Sequence, residues 1–193
     1  MKKFLTTAAL TLGAAMSAHA ADAASPFRFL VGAGITFGGD TLITVPFTDG
    51  SSDDIKAGGL VQLYGGGEFR VGDKVAIQAT LGYHVNDTKA ASNGSVRFTR
   101  IPVDLLAIYQ FNDNVRLGAG AQFVSGAELK GSGVASNVNA KFDSTTGAIL
   151  EGEYLFSPKV GMKLRYVSEK FQANGSTTKI DGSHLGLMFN YYF

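Results

Sequence analysis

The last nine residues constrain this chain more than any other stretch. From Leu185 to Phe193 alternate positions are apolar (Leu185, Leu187, Phe189, Tyr191 and Phe193), and the sequence stops on an aromatic residue. The intervening Gly186, Met188, Asn190 and Tyr192 are smaller or more polar. Side chains alternate faces along a strand, so the segment reads as a β-strand with one greasy face and one mixed face. Water-soluble folds seldom leave such a face uncovered, whereas a strand in contact with lipid requires one. The alternative is an ordinary amphipathic edge strand that ends the chain.

The opposite end has the organisation of a secretory signal peptide. Met1-Lys2-Lys3 is charged, Phe4 to Met16 is apolar or small, and Ala18-His19-Ala20 is a small-x-small cleavage site. The sequence therefore divides into a leader, 1–20, and a remainder, 21–193, of a length suited to one domain. No stretch holds about 18 consecutive apolar residues, which removes a spanning helix and leaves a closed barrel as the way to cross a bilayer. Basic and acidic residues number 17 and 16, and losing Lys2 and Lys3 leaves the remainder near neutral, without a basic patch for nucleic acid. Cysteine is absent, so an exported chain has no disulfide or thiolate metal site. The 25 glycines suit a many-stranded sheet with tight bends.

Three similar turns punctuate the middle: Phe69 to Val75, Phe111 to Val115 and Phe156 to Val160, each an aromatic, a short polar bend and a valine. They recur about 40 to 45 residues apart, the spacing of a repeated two-strand unit. Longer polar stretches lie between them at 38–56, 86–95, 126–141 and 170–179. Three short turns and four long loops join eight strands, expected near 27–37, 57–70, 75–85, 97–111, 115–125, 142–156, 160–169 and 181–193. Each alternates. Val75, Ile77, Ala79, Leu81, Tyr83 and Val85 oppose Gln78, Thr80 and His84, and Ile101, Val103, Leu105, Ala107 and Tyr109 oppose Arg100 and Asp104. A charge in the middle of a lipid-facing row costs about 2 to 4 kcal/mol, and these rows hold none; Arg97 and Lys170 fall at loop-side ends. Aromatic girdles are expected at Tyr109, Phe111, Tyr154, Phe156, Tyr191 and Phe193 on the turn side, and at Phe37, Tyr83, Phe123, Phe142 and Tyr166 on the loop side. The fold class is all-β, an eight-stranded, up-and-down, antiparallel transmembrane β-barrel.

In strand number, turn asymmetry and terminal strand the whole remainder resembles the small eight-stranded outer-membrane barrels of the OmpX, OmpW and opacity-protein kind. In such proteins the terminal alternating row, here Leu185, Leu187, Phe189, Tyr191 and Phe193, is read by the barrel-assembly machinery. The resemblance implies an outer-membrane location, periplasmic chaperones in transit, contact with outer-membrane lipid and a monomer. It does not reach a subfamily.

The inward rows carry the charges. If Phe156 pairs with Val160, Glu153 faces Lys163 and Glu151 faces Arg165; Asp104, Arg100, Arg116 and Glu68 share the same interior. One reading is a salt-bridge network filling the lumen, and the other a charged filter along a pore. Eight strands leave room only for side chains, which favours the network. Basic partners keep both glutamates in their charged form, so they are poor proton donors. His84 and His184 point inward from strands that are not neighbours, with Asp181 the one further metal ligand in reach of sequence reasoning. Asp181, Ser183 and His184 have the letters of a catalytic triad, but adjacent residues in a strand face opposite ways. The expectation is no cofactor, no metal and no catalytic residue. In the first long loop, Leu42, Ile43, Val45 and Phe47 are apolar around Pro46. They form either a strand pair extending beyond the bilayer or a contact surface for a ligand at the cell surface. The functional expectation is envelope structure or surface interaction; a narrow conduit for small or apolar molecules is the alternative, with a lipid-modifying enzyme and a soluble calyx behind it.

Overall fold

The structure, a computed structural model, describes residues 25–46, 50–90 and 94–193. The leader expected at 1–20 and the loop residue Phe47 lie outside the described residues. The strands are β1 (Phe27–Gly38), β2 (Thr41–Pro46), β3 (Ser52–Lys56), β4 (Leu60–Arg70), β5 (Val75–Ala90), β6 (Gly94–Gln110) and β7 (Val115–Ser132). They continue as β8 (Asn139–Lys141), β9 (Thr145–Ser157), β10 (Val160–Ser168), β11 (Lys170–Gln172), β12 (Lys179–Asp181) and β13 (His184–Tyr192). Eight of them, β1, β4, β5, β6, β7, β9, β10 and β13, pair antiparallel in chain order, and β13 pairs back to β1. The ring has no edge.

Two of the three short turns are held by their own side chains. Asn112 Oδ1 accepts the N–H groups of Asn114 (3.0 Å) and Val115 (2.8 Å), and Ser157 Oγ accepts that of Val160 (3.2 Å). These bends and both described chain ends share one end of the barrel, the turn end; the long connections share the other, the loop end.

Alternation holds around the ring. Along β13, Leu185, Leu187, Phe189 and Tyr191 face out, while His184, Gly186, Met188, Asn190 and Tyr192 are buried inside. The inward row is crowded: a methyl group at Gly32 would collide with the Tyr64 ring and Asn190, and one at Gly118 would meet Glu151 Cγ at 2.7 Å. The girdle aromatics face outward as expected, with one exception. Phe142 is 8% exposed and packs inward, because it precedes β9 instead of belonging to it. The β9–β10 hairpin also differs in detail: Val160 pairs with Ser157, a bulge follows, and only from Gly161↔Leu155 onward does the pairing place Lys163 opposite Glu153 and Arg165 opposite Glu151.

Among the described residues, three of the four stretches expected as loops, 38–56, 86–95 (through the ends of β5 and β6) and 126–141, are largely sheet, and 170–179 is partly so. Residues 38–56 contain the β2–β3 hairpin, 170–179 contains β11 and the start of β12, and 126–141 is the upper part of β7 followed by β8. The last depends on Gly126. Pairing slips by one residue between Thr99 and Ile101 of β6, opposite Gly126, whose φ is +60°. Below this bulge β7 points Leu117 and Phe123 outward; above it Ala127 and Leu129 turn inward and Glu128 and Lys130 face out. The inward residues join Val45, Ile55, Val96, Phe98, Phe142 and Phe171 in an apolar core that closes the loop end as a cap. Three rings meet edge to face there, with centroids 5.5 Å (Phe98–Phe142), 5.8 Å (Phe98–Phe171) and 6.2 Å (Phe142–Phe171) apart.

Replacing Gly126 with Val forces a β-branched residue into the left-handed region, at a cost of about 1 to 2 kcal/mol. The expected outcome is faster trypsin cleavage at Lys130 and Lys141 in detergent-refolded protein, with the barrel's heat-dependent gel mobility intact. Unchanged cleavage would show that the cap does not need the bulge.

Candidate functional site

Three polar groups stack along the lumen. At its middle, Arg165 of β10 donates to Asp104 of β6 (Nη1 to Oδ2, 2.6 Å) and to Glu151 of β9 (Nε to Oε2, 3.0 Å), and its Nη2 lies 2.9 Å from the same Glu151 oxygen as an ion pair. The other oxygen of Glu151 takes Lys163 Nζ at 2.6 Å, and Lys163 also donates to Gln78 (3.3 Å). Gln122 and Thr80 add bonds to Asp104 at 2.9 and 3.4 Å. Asp104, Glu151, Lys163 and Arg165 have side chains at most 2% exposed. A buried charge with one partner missing is expensive, so the group is stable only as a set.

Nearer the turn end, Glu68 sits between Arg28 (2.8 Å) and Arg116, and Arg116 Nη1 reaches Glu153 at 3.3 Å. Glu153 is not the partner of Lys163, although the two are opposite in register. Tyr192 and Asn190 of the terminal strand donate to Glu153 at 2.7 Å, and Tyr64 donates to Asn190. The Arg28 guanidinium lies 3.9 Å from the centre of the Tyr192 ring. The mixed face of the last strand thus ties the network together while its other face points outward.

Toward the cap, Arg100 leaves the main network and donates through Nε (3.1 Å) and Nη2 (2.7 Å) to His84 Nδ1. Arginine has no acceptor, so His84 carries its proton on Nε2 and donates to Thr36 Oγ1 at 2.7 Å. His184 Nδ1–H donates to the Gly182 carbonyl at 2.9 Å. The two imidazoles, expected on separate strands, meet across the lumen with centroids 5.4 Å apart. Glu169, just beyond the loop end of β10, places Oε1 3.6 Å from His184 Nδ1 and 3.9 Å from Arg100. Burial pushes the Glu169 carboxyl up to about 7. Asp181 faces away at the outer rim, where hydrogen bonding to Ser183 holds its carboxyl below the usual range. Ser183 Oγ accepts the Glu169 N–H at 3.3 Å while His184 points into the lumen, so the letters of a triad do not assemble. Among the described residues no group of three His, Cys, Asp or Glu has the arrangement of a metal site.

Of the first-loop residues, Val45 is buried in the cap, and Leu42 and Ile43 pack against it. Their apolar side is a cap wall; the hairpin offers Thr41, Thr44, Asp53 and Asp54 to solvent. Sequence reading missed Arg28, Gln78, Tyr64, Tyr192 and Glu169 as members of the network. Their inward parity was available, and Glu169 continues the alternation of Lys163, Arg165 and Val167. At the turn end a vestibule of about 480 Å³, lined by Arg28, Glu68, Arg70, Lys74 and Arg116, leads to the lower group.

Glu151 serves two cations, whereas Glu153 serves one cation and two neutral donors. Glu151→Gln is therefore expected to lose about 3 to 5 kcal/mol and Glu153→Gln less, about 1 to 3 kcal/mol. Urea titration in detergent measures both, and the reverse order would contradict this division of charge.

The fold has known counterparts. The family model described as outer membrane protein beta-barrel domain matches residues 7–193. Ail, the attachment invasion locus protein of Yersinia pestis, in complex with the heparin analogue sucrose octasulfate, superposes with a TM-score of 0.53 at 13% identity, covering 86% of this chain and 97% of Ail. Neisserial surface protein A gives 0.52 at 14% (89% and 100% covered), and OprG from Pseudomonas aeruginosa 0.50 at 18% (88% and 96% covered). No curated protein sequence matches. At these identities the superpositions speak for the fold, and the family match speaks for the chain: it belongs to the outer membrane protein beta-barrel domain family.

Proposed function

We propose that this chain is a non-enzymatic, monomeric outer-membrane barrel with a closed lumen, serving envelope structure or surface interaction through its loop-end crown. One observation carries the reading: the lumen is blocked twice, by the Asp104, Glu151, Lys163 and Arg165 group and by the apolar cap above it. A conduit needs a continuous wet or greasy path, and here a buried ionic plate and a packed aromatic core lie in series. In this proposal the leader 1–20 exports the chain, periplasmic chaperones carry it, and the assembly machinery reads the row from Leu185 to Phe193. The turn end then faces the periplasm and the crown faces outward. Ail is described as an attachment protein and was crystallised with a heparin analogue. We carry attachment at the loop end over to this chain as an expectation, with the polar rim of the crown as the contact surface instead of Leu42, Ile43 and Val45.

Single-channel recording in a planar bilayer tests the closed lumen. The refolded chain is expected to give no discrete current steps, and Phe98→Ala, which removes the ring shared by both shorter aromatic contacts, is expected to stay silent because the ionic plate remains. Reproducible steps that change size with Glu153→Ala or Lys163→Ala would replace this reading with that of a narrow conduit.

A further inference from the structure

Beneath the cap lies one acid on which no base closes. The Glu169 side chain is fully buried, and neither of its oxygens has a hydrogen-bond partner among the described residues. The donors around it are committed elsewhere. Arg100 directs Nε and Nη2 to His84, which leaves Nη2 3.9 Å from Glu169 Oε1. His184 Nδ1 lies 3.6 Å from the same oxygen but gives its proton to the Gly182 carbonyl. The Ser183 hydroxyl bonds the main chain of Glu169, accepting its N–H at 3.3 Å and donating to its carbonyl at 3.5 Å.

Acceptors therefore outnumber donors. With its proton on Nδ1, His184 keeps Nε2 as an acceptor, and that atom too is buried without a partner. Against these three acceptors stands Arg100 Nη1, a buried donor without a hydrogen bond. One proton on Glu169 removes a buried charge and turns an acceptor into a donor. The cap feels the difference directly. Glu169 stands two residues before Phe171, and a methyl group at Gly182 would collide with the Phe171 ring and meet Glu169 Cγ at 3.2 Å. The Arg100 guanidinium lies 5.4 Å from the centre of the Phe171 ring and 5.6 Å from that of Phe98. Hydrating the carboxylate requires the segment that carries Phe171 to move.

We propose that Glu169 makes the cap a pH-sensitive closure: with the carboxyl protonated the crown packs tight, and with it ionised the β10–β11 segment loosens and Phe171 withdraws from Phe98 and Phe142. Its pKa in the closed crown, about 7, exceeds the ordinary 4.5. Its contribution to closure is therefore complete below about 4.5 and is lost as the pH rises through about 7. The groups facing it are Arg100 and Asp104 of β6, His184 of β13 and Asp181 of β12, with His84 of β5 behind Arg100. β9 meets it with Gly147 and β11 follows it with Phe171.

Hydrogen exchange of the refolded chain in detergent tests this, read by mass spectrometry as protection factors so that the pH dependence of intrinsic exchange cancels. Amides of 139–142 and 170–173 are expected to be about tenfold better protected at pH 6 than at pH 8, the factor that the two pKa values give. Heat-dependent gel mobility should show a closed barrel at both. Glu169→Gln should hold the pH 6 protection at both pH values, whereas Asp181→Asn should leave the pH dependence in place. A carbon-13 titration of the glutamate carboxyls needs no variant and should show one resonance with a midpoint near 7. Equal protection at both pH values, greater protection at pH 8, a pH dependence that survives Glu169→Gln or is lost in Asp181→Asn, or no glutamate titrating near 7 overturns the proposal.

Discussion

Closure of the β1–β13 pairing is the constraint on which the rest depends. A ring without an edge leaves no backbone group to be satisfied by water, which is what admits a sheet to lipid. It also gives every side chain one of two destinations. The outward rows had to be free of charge through the membrane, so each charge that a crossing strand carries is displaced to the interior or to the ends. Eight strands enclose too little space for water to solvate those interior charges. They must therefore neutralise one another, and Arg165 holding Asp104 and Glu151 while Lys163 holds the remaining oxygen is the result.

Such a network adds little net stability compared with an apolar filling, because desolvation offsets most of the attraction. What it supplies is discrimination. Sliding any one strand by a single residue would turn its charges into the hydrocarbon and its leucines into the lumen. The glycines work in the same direction: Gly32 admits Tyr64, and Gly118 admits Glu151, so a shifted register would also place bulk against bulk.

The membrane-crossing part was legible in the sequence because one rule, period-two alternation, governs it from end to end. The order of strands, the direction of the rows and the opposition of Glu151 to Arg165 all follow from that rule. The side-chain partners did not. Glu153 turned to Arg116, Tyr192 and Asn190 because long side chains in a narrow tube reach diagonally and across, and strand pairing alone does not say which reach is shortest. The loop end was misread where the rule changes phase: Gly126 marks the place, but a glycine among polar residues looks the same whether it ends a strand or kinks one. Phe142 was assigned outward for the same reason, since its parity was counted from β9 across a break in the sheet. Charge partners and phase shifts are three-dimensional facts, whereas facing is a one-dimensional one.

The cap draws its apolar residues from β2, β3, β6, β7, β11 and the segment before β9, segments that lie far apart along the chain. Val45 and Phe171 come together only when the first and last thirds of the sequence already stand side by side. Until they do, the core lacks Val45 and Ile55, its contribution from the β2–β3 hairpin. Quality control of this molecule therefore has a natural signal: an incompletely covered cluster of Phe98, Phe142 and Phe171 marks a chain whose first third has not yet joined its last, and a completed cap marks one in which it has.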